Sequence, residues 1–229
     1  MSVHSSLLNT ADKNSPTVSE ALLSRILEKT IRRSSALDTE SLCLVAGSKC
    51  FSIRADVHVL AHDGNLLDAS CIAVIAALQH FRRPDVTVEG ENVTVWSIRE
   101  REPVKLSLLH HPLCVSFSYS ESGTIVIVDA TAAEEKVREG EMVISMNKFG
   151  EVCQIAKYGG VTVDAVSLLS WTRIAVEKVK EITAFIQQKL ADDDKKRNVG
   201  GLIAELSAEN ERPENALESF QRGRDTAMV

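Results

Sequence analysis

The chain reads as an α+β protein in which helices cover sheets around one core, and three observations predict it. Leu22, Leu23, Ile26, Leu27, Thr30 and Ile31 recur at helical spacing. Between residues 51 and 59, Phe51, Ile53, Ala55, Val57 and Val59 alternate with Ser52, Arg54, Asp56 and His58, the period of a half-buried strand. Leu67 to Phe81 is an almost unbroken apolar run stopped by Arg82-Arg83-Pro84, which reads as a buried helix, because proline disfavours its continuation. Helices and groups of strands in this order pack as layers over a shared core.

Residues 1–17, rich in Ser, Asn and Thr and without a sustained period, read as an irregular lead-in. The folded domain is expected over 18–191, its first helix capped by Ser19. Leu42, Leu44 and Ala46 alternate with Cys43 and Val45, and Gly47-Ser48-Lys49 turns the chain into the longer strand. Val86-Thr87-Val88 and Val93-Thr94-Val95 flank Glu89-Gly90-Glu91-Asn92, a hairpin pattern. Strands are expected at Cys114–Ser120, Thr124–Asp129, Met142–Met146 and Val152–Tyr158. Gly159-Gly160 then leads into a long helix from about Thr162 to Leu190. Residues 192–229 form a charged tail, mostly disordered, with a short helix near Leu202–Ser207.

With 229 residues, 44% of them apolar, the chain can fill one well-packed domain. A net charge of −6 argues against a free-standing nucleic-acid binder and leaves room for a local basic face. The five cysteines are scattered without Cys-x-x-Cys spacing, which argues against zinc and redox motifs and for reduced core packing in an intracellular protein. There is no leader-like apolar segment and no membrane-length run, so a soluble cytoplasmic or nuclear protein is expected.

Leu37-Asp38-Thr39-Glu40-Ser41-Leu42-Cys43, His80-Phe81-Arg82-Arg83-Pro84-Asp85-Val86 and Pro112-Leu113-Cys114-Val115-Ser116-Phe117 together carry a family resemblance that spans about Leu22 to Leu206. The chain resembles the RNase PH-like ring subunits of the eukaryotic RNA exosome, of the ribosomal-RNA-processing protein 45 class. The resemblance implies an RNase PH-like fold (ribosomal protein S5 domain 2-like) for residues 18–191. It also implies that the opening strands expected of the family are missing, so the gene model is expected to be truncated. As partners it implies other RNase PH-like ring subunits, cap subunits and RNA, with no membrane. The role implied is 3′-to-5′ processing and degradation of rRNA and mRNA, in nucleus, nucleolus and cytoplasm.

Active relatives attack the terminal phosphodiester of RNA with inorganic phosphate. The resemblance implies that the turn before their second helix carries a Gly-Ser/Thr-Arg phosphate site. Here that place reads Asn65-Leu66-Leu67, without hydroxyl or cation. Glu135 and Glu141 stand where active members carry two aspartates, with the six-residue spacing kept. They read either as a residual metal or acid–base pair for phosphorolysis, or as two solvent-exposed glutamates in a charge-rich run. The second reading is preferred, since nothing nearby in the sequence holds phosphate and a glutamate projects its carboxylate one methylene further than an aspartate. The chain is therefore expected to be inert, with no catalytic residue, metal or cofactor.

On a helical wheel Arg25, Lys29 and Arg32 share a sector of about 60°, opposite the apolar stripe. The bland reading is a solvated cationic face with Glu28 as a local partner. By resemblance, residues at the positions of Arg25 and Lys29 contact the RNA backbone, which makes Arg25, Lys29 and Arg32 the candidate RNA-binding set. Arg82 and Arg83 read as cations at a helix C-terminus. His110-His111 has no carboxylate or cysteine at ligand spacing and reads as a strand entry, while His58 and His62 flank a strand end with no nucleophile partner in the sequence.

Overall fold

A computed structural model describes residues 2–7, 18–120 and 123–200. The described residues divide into two compact units, one within residues 2–82 and 105–186, the other within residues 83–104 and 187–200.

The first unit opens with strand β1 (Ser2–Leu7) and helix α1 (Val18–Glu28), which passes into a π turn at Lys29–Arg33. A short 3₁₀ turn (Glu40–Leu42) leads to the hairpin β2 (Cys43–Val45) and β3 (Lys49–Cys50), then β4 (Arg54–Val59) and α2 (Leu66–His80). After β5 (Arg82–Arg83), the second unit contributes β6 (Val86–Glu89) and β7 (Asn92–Val95), with β8 (Val104–Lys105) following. The first unit then resumes with β9 (Leu113–Ser120), β10 (Ile125–Val128), α3 (Ala132–Val137), β11 (Gly140–Met146), β12 (Val152–Tyr158) and α4 (Ala165–Gly200).

The centre of the first unit is an antiparallel sheet in the order β10-β9-β11-β12. From Leu113 to Tyr119 every residue of β9 is buried, so both faces of this strand are covered. On one face it packs against α2, whose Asp68 reaches Ser116. On the other, Phe117 and Tyr119 meet Trp171 of α4, with ring centroids 5.7 and 5.4 Å apart. Helix α1 contributes Leu23, Ile26 and Leu27 to the core, and Thr30 of the π turn buries its hydroxyl against Ser145, 2.9 Å away. The layered α+β reading and the strand positions in this unit are met within a few residues.

Four details differ from expectation. Ser2–Leu7, within the stretch read as irregular, is a strand parallel to β4 from Ser2↔Arg54 to Leu7↔Val59. It had no pattern to announce it, because pairing to an open strand edge is a backbone property. Helix α1 starts at Val18, so Ser19 lies inside it. The short helix α3 went unread. The long helix α4 runs on to Gly200, ten residues past Leu190. The run Asp192 to Arg197 contains neither Pro nor Gly, and Lys195 lies 3.9 Å from Asp192 at helical i,i+3 spacing, so charge alone does not end the helix. The helix expected at 202–207 and the rest of the tail lie outside the described residues.

In the second unit β6 and β7 pair antiparallel in register Val86↔Val95 to Glu89↔Asn92, as the hairpin pattern predicted, with Gly90 at φ 63° in the turn. Trp96 donates its Nε1–H to Thr87 Oγ1 at 2.8 Å and carries the Arg101 guanidinium over its ring at 4.3 Å, while Arg101 pairs with Asp85 at 3.0 Å. The C-terminal part of α4, from Gln187, also belongs to this unit. Among the described residues no helix is long and apolar enough to cross a membrane.

Candidate functional site

A cavity of about 390 Å³ opens in the first unit between α1, the β4–α2 turn, α3 and the start of β11. Leu22, Leu23, Ile26, Leu66 and Leu67 form its apolar wall, and His62, Asn65, Glu135, Arg138, Glu141 and Tyr158 its polar one. The turn that builds it is tightly constrained. Gly64 has φ 95° and lies so close to the backbone of Ala130–Ala132 that a Cβ would collide with it, while the Ala132 N–H bonds Asp63 O at 3.1 Å. Asn65 follows in the left-handed region at φ 45°, its Nδ2 donating to Asp129 Oδ1 at 2.8 Å. Its Oδ1 is buried without a partner.

Helix α3 aims the acidic residues. Thr131 caps it in a capping box: its hydroxyl accepts from the Glu134 N–H, and the Glu134 carboxylate accepts from the Thr131 N–H at 2.8 Å. Glu135 is thereby turned toward the glycine turn, where its Oε1 accepts the Asn65 N–H at 2.9 Å. Arg138, just past α3, donates to Glu141 Oε2 at 2.8 Å and to Ser118 Oγ at 3.2 Å, and lies 3.7 Å from Glu135 Oε1. Both glutamates are therefore held by one guanidinium. They are not the solvent-exposed pair of the preferred sequence reading, since their side chains are only 26% and 20% exposed. That reading failed because it treated 134–141 as one surface run, whereas α3 ends at Val137 and β11 returns the chain to the sheet at Gly140. Burial raises the Glu141 pKa above its usual value; Arg138 opposes the rise and Glu135 adds to it. Burial, with Glu141 adding, likewise raises the Tyr158 phenol, and Arg25 pulls it back.

Under the cavity, Asp68 of α2 is buried and accepts the Ser116 N–H at 2.8 Å and the Ser116 hydroxyl at 2.7 Å. Burial outweighs these bonds and pushes its pKa from 3.8 to about 6. A carboxyl whose folded pKa lies above its unfolded one contributes stability in full below pH 3.8, and that contribution is lost as pH rises through about 6. Asp68→Asn is expected to remove from the stability–pH curve a fall on the order of 3 kcal/mol between these limits. Thermal unfolding of both chains from pH 4 to 7 checks this, and an unchanged slope contradicts it.

The proposed cationic set is only partly brought together. Arg25 is exposed and near enough to Tyr158 for its charge to act on that phenol, and Lys29 is half-buried at the start of the π turn. Arg32 lies within the wider π turn, to which a 100° wheel does not apply, and it pairs with Glu28 at 3.2 Å. Arg82 donates to the Gln79 and His80 carbonyls at 3.0 and 2.7 Å, the helix-terminal role expected of it. His62 Nδ1 accepts the Gly64 N–H at 3.3 Å, and His110 lies 3.8 Å from Cys153. Among the described residues no three acidic, His or Cys side chains gather as a metal site. Asp68 was missed by sequence reasoning although an acid inside an apolar helix run is a visible signal. Arg138 was missed because its role depends on the α3–β11 junction.

The sequence pattern described as "3′ exoribonuclease family, domain 1" matches residues 2–84, and that of domain 2 matches residues 110–178. "Exosome complex component rrp45" of Schizosaccharomyces pombe is 52% identical over 193 residues, which cover 84% of this chain and 66% of that protein. "Exosome complex component RRP45" of Bos taurus is 50% identical over 179 residues, 78% of this chain and 41% of that protein. This chain thus spans less than two thirds of the length of these relatives. Among solved structures, "Archaeal exosome core" superposes with a TM-score of 0.65 at 25% identity, covering 81% of this chain and 67% of that one. By these matches the chain belongs to the 3′ exoribonuclease, or RNase PH, family.

Proposed function

We propose that the chain is a non-catalytic subunit of an RNA exosome core ring, lending a basic helix face to the RNA path while other proteins carry out the chemistry. Its partners are RNase PH-like ring subunits, cap subunits and RNA. The ring serves 3′-to-5′ processing and degradation of rRNA and mRNA in nucleus, nucleolus and cytoplasm. The names of the relatives support the assembly.

One observation carries the inert reading: the guanidinium of the cavity is already shared between two carboxylates. Phosphorolysis needs preorganised cations and donors around inorganic phosphate and the scissile phosphodiester. Here Arg138 faces Glu135 and Glu141, an arrangement with a net negative charge, and the adjoining Asn65-Leu66-Leu67 adds no cation. The rival, a phosphorolytic exoribonuclease, rests on the convergence of Glu135 and Glu141 in one cavity. Purified chain with magnesium, phosphate and RNA is expected to release no nucleoside diphosphate. Release that disappears in the Glu135→Gln, Glu141→Gln double variant would establish the rival instead.

RNA contact is tested by charge reversal in the assembled ring. Arg25→Glu and Lys29→Glu are expected to lower RNA crosslinking more than Arg32→Glu, because Arg32 is already paired with Glu28. Losing two backbone contacts should flatten the log–log salt dependence by about 1.4. Crosslinking unchanged in all three variants would leave a purely structural subunit.

A further inference from the structure

We propose that Cys43 and Cys50 are a redox modification site, closing reversibly into a disulfide across the β2–β3 hairpin. In the sequence these two cysteines look like the other three, and the register sets them apart. Cys43 and Cys50 are directly opposed in the antiparallel pairing. The Phe51 N–H donates to Leu42 O at 2.8 Å, so a ladder bond flanks the pair instead of joining it. Opposed residues of this kind have Cα atoms about 4.5 Å apart and side chains leaning to the same face. That separation falls inside the range of roughly 4.4–6.8 Å that disulfides span.

Access separates this pair from the remaining thiols. Cys43 and Cys50 are both exposed, whereas Cys71 and Cys114 are buried and Cys153 is half-buried. Cys71 points at Pro112 O and Cys114 at Thr30 and Ser145, inside the core. The β2–β3 ribbon has only two strands, and Gly47, at φ 73°, closes its loop with open space around it. Among the described residues, small adjustments that bring two sulfurs together therefore meet no third strand.

The oxidant is a low-molecular-weight disulfide such as glutathione disulfide. One thiolate attacks it, forms a mixed disulfide and releases one glutathione thiolate. The neighbouring thiolate then attacks the mixed disulfide at the protein sulfur, forms the Cys43–Cys50 bond and releases the second glutathione. The two cysteines lose two electrons and two protons, and the oxidant gains them as two thiols. Reduction by excess glutathione runs the same steps backward. The product ties the ends of residues 43–50 together immediately before β4.

The test equilibrates the full chain, without denaturant, in glutathione buffers of graded potential, blocks free thiols and maps peptides by mass. The expected result is a Cys43–Cys50 linked peptide, two hydrogens lighter than the reduced form, in monomeric protein, with Cys71 and Cys114 blocked only after unfolding. In Cys50→Ser the resolving thiol is gone, so Cys43 should accumulate the glutathione mixed disulfide about tenfold or more above its level in the unaltered chain. Separate glutathione adducts on Cys43 and Cys50 in the unaltered chain would overturn the proposal. So would equal adduct levels with and without Cys50, or a link that forms only between chains.

Discussion

Trp171→Ala is expected to lower the unfolding free energy by about 4 kcal/mol, the largest loss from any single substitution considered. Trp171 is 3% exposed and lies nearly parallel to Phe117, at 12°, with Tyr119 packed beside it. Its removal opens a cavity between α4 and the strand at the middle of the sheet. Nothing adjacent collapses easily into that space. Tyr119 is fixed by its hydroxyl bond to Val161 O at 3.0 Å and by Gly140, where even a Cβ would strike the ring. Further along α4 the inward stripe continues with Ala175, Val179, Thr183 and Ile186, smaller side chains that cannot replace an indole. Urea unfolding of the two chains measures the difference. A loss below about 1 kcal/mol would mean that α4 is not anchored through this residue.

Arg138→Ala is expected to destabilise by about 2 kcal/mol at neutral pH. Breaking a fully buried ion pair costs roughly 3–5 kcal/mol, and these side chains keep 20–26% of their exposure, so solvent screens part of the loss. The substitution leaves Glu135 and Glu141 facing one another without a shared cation, and Ser118 Oγ without its donor. The loss depends on pH. Glu141 already has a raised pKa from burial, and removing Arg138 raises it further, so the variant binds a proton more readily folded than unfolded. Its stability deficit is therefore smaller at acid pH, where Glu141 is protonated in both states, and grows as pH rises through the folded-state pKa. Adding Glu141→Gln should recover much of it. Urea unfolding at pH 5 and pH 8 is the measurement, and an equal deficit at both pH values contradicts the pairing.

Much of the fold was legible because its elements carry their own period. The Leu67–Phe81 run appears as α2, the Val86 to Val95 pattern as the β6–β7 hairpin, and Val152–Tyr158 as β12 without a shift. The misses lie where structure depends on something other than side-chain period. Strand β1 pairs with the edge of β4, and the π turn at Lys29–Arg33 coincides with the burial of Thr30 against Ser145. Helix α3 is short, yet Thr131-x-x-Glu134 is a capping-box signature that a closer reading would have caught.

At the candidate site the sequence singled out two carboxylates that share one cavity and misjudged their surroundings. Glu135 and Glu141 were singled out, while the cation between them was passed over as one more charge in a charged run. A guanidinium does line the same cavity as Leu66 and Leu67; it is supplied by Arg138, just past α3. The cysteines divide in a similar way. Cys71 and Cys114 pack in the core as free Cys is expected to, but Cys43 and Cys50 lie on a hairpin whose pairing register no composition count reveals.

The claim that Glu135 and Glu141 occupy Arg138 and so deny it to phosphate is tested most directly by titrating the full chain with orthophosphate, followed by phosphorus NMR and calorimetry. The account predicts no saturable binding with a Kd below about 1 mM. Saturable binding tighter than that, abolished by Arg138→Gln, would contradict it.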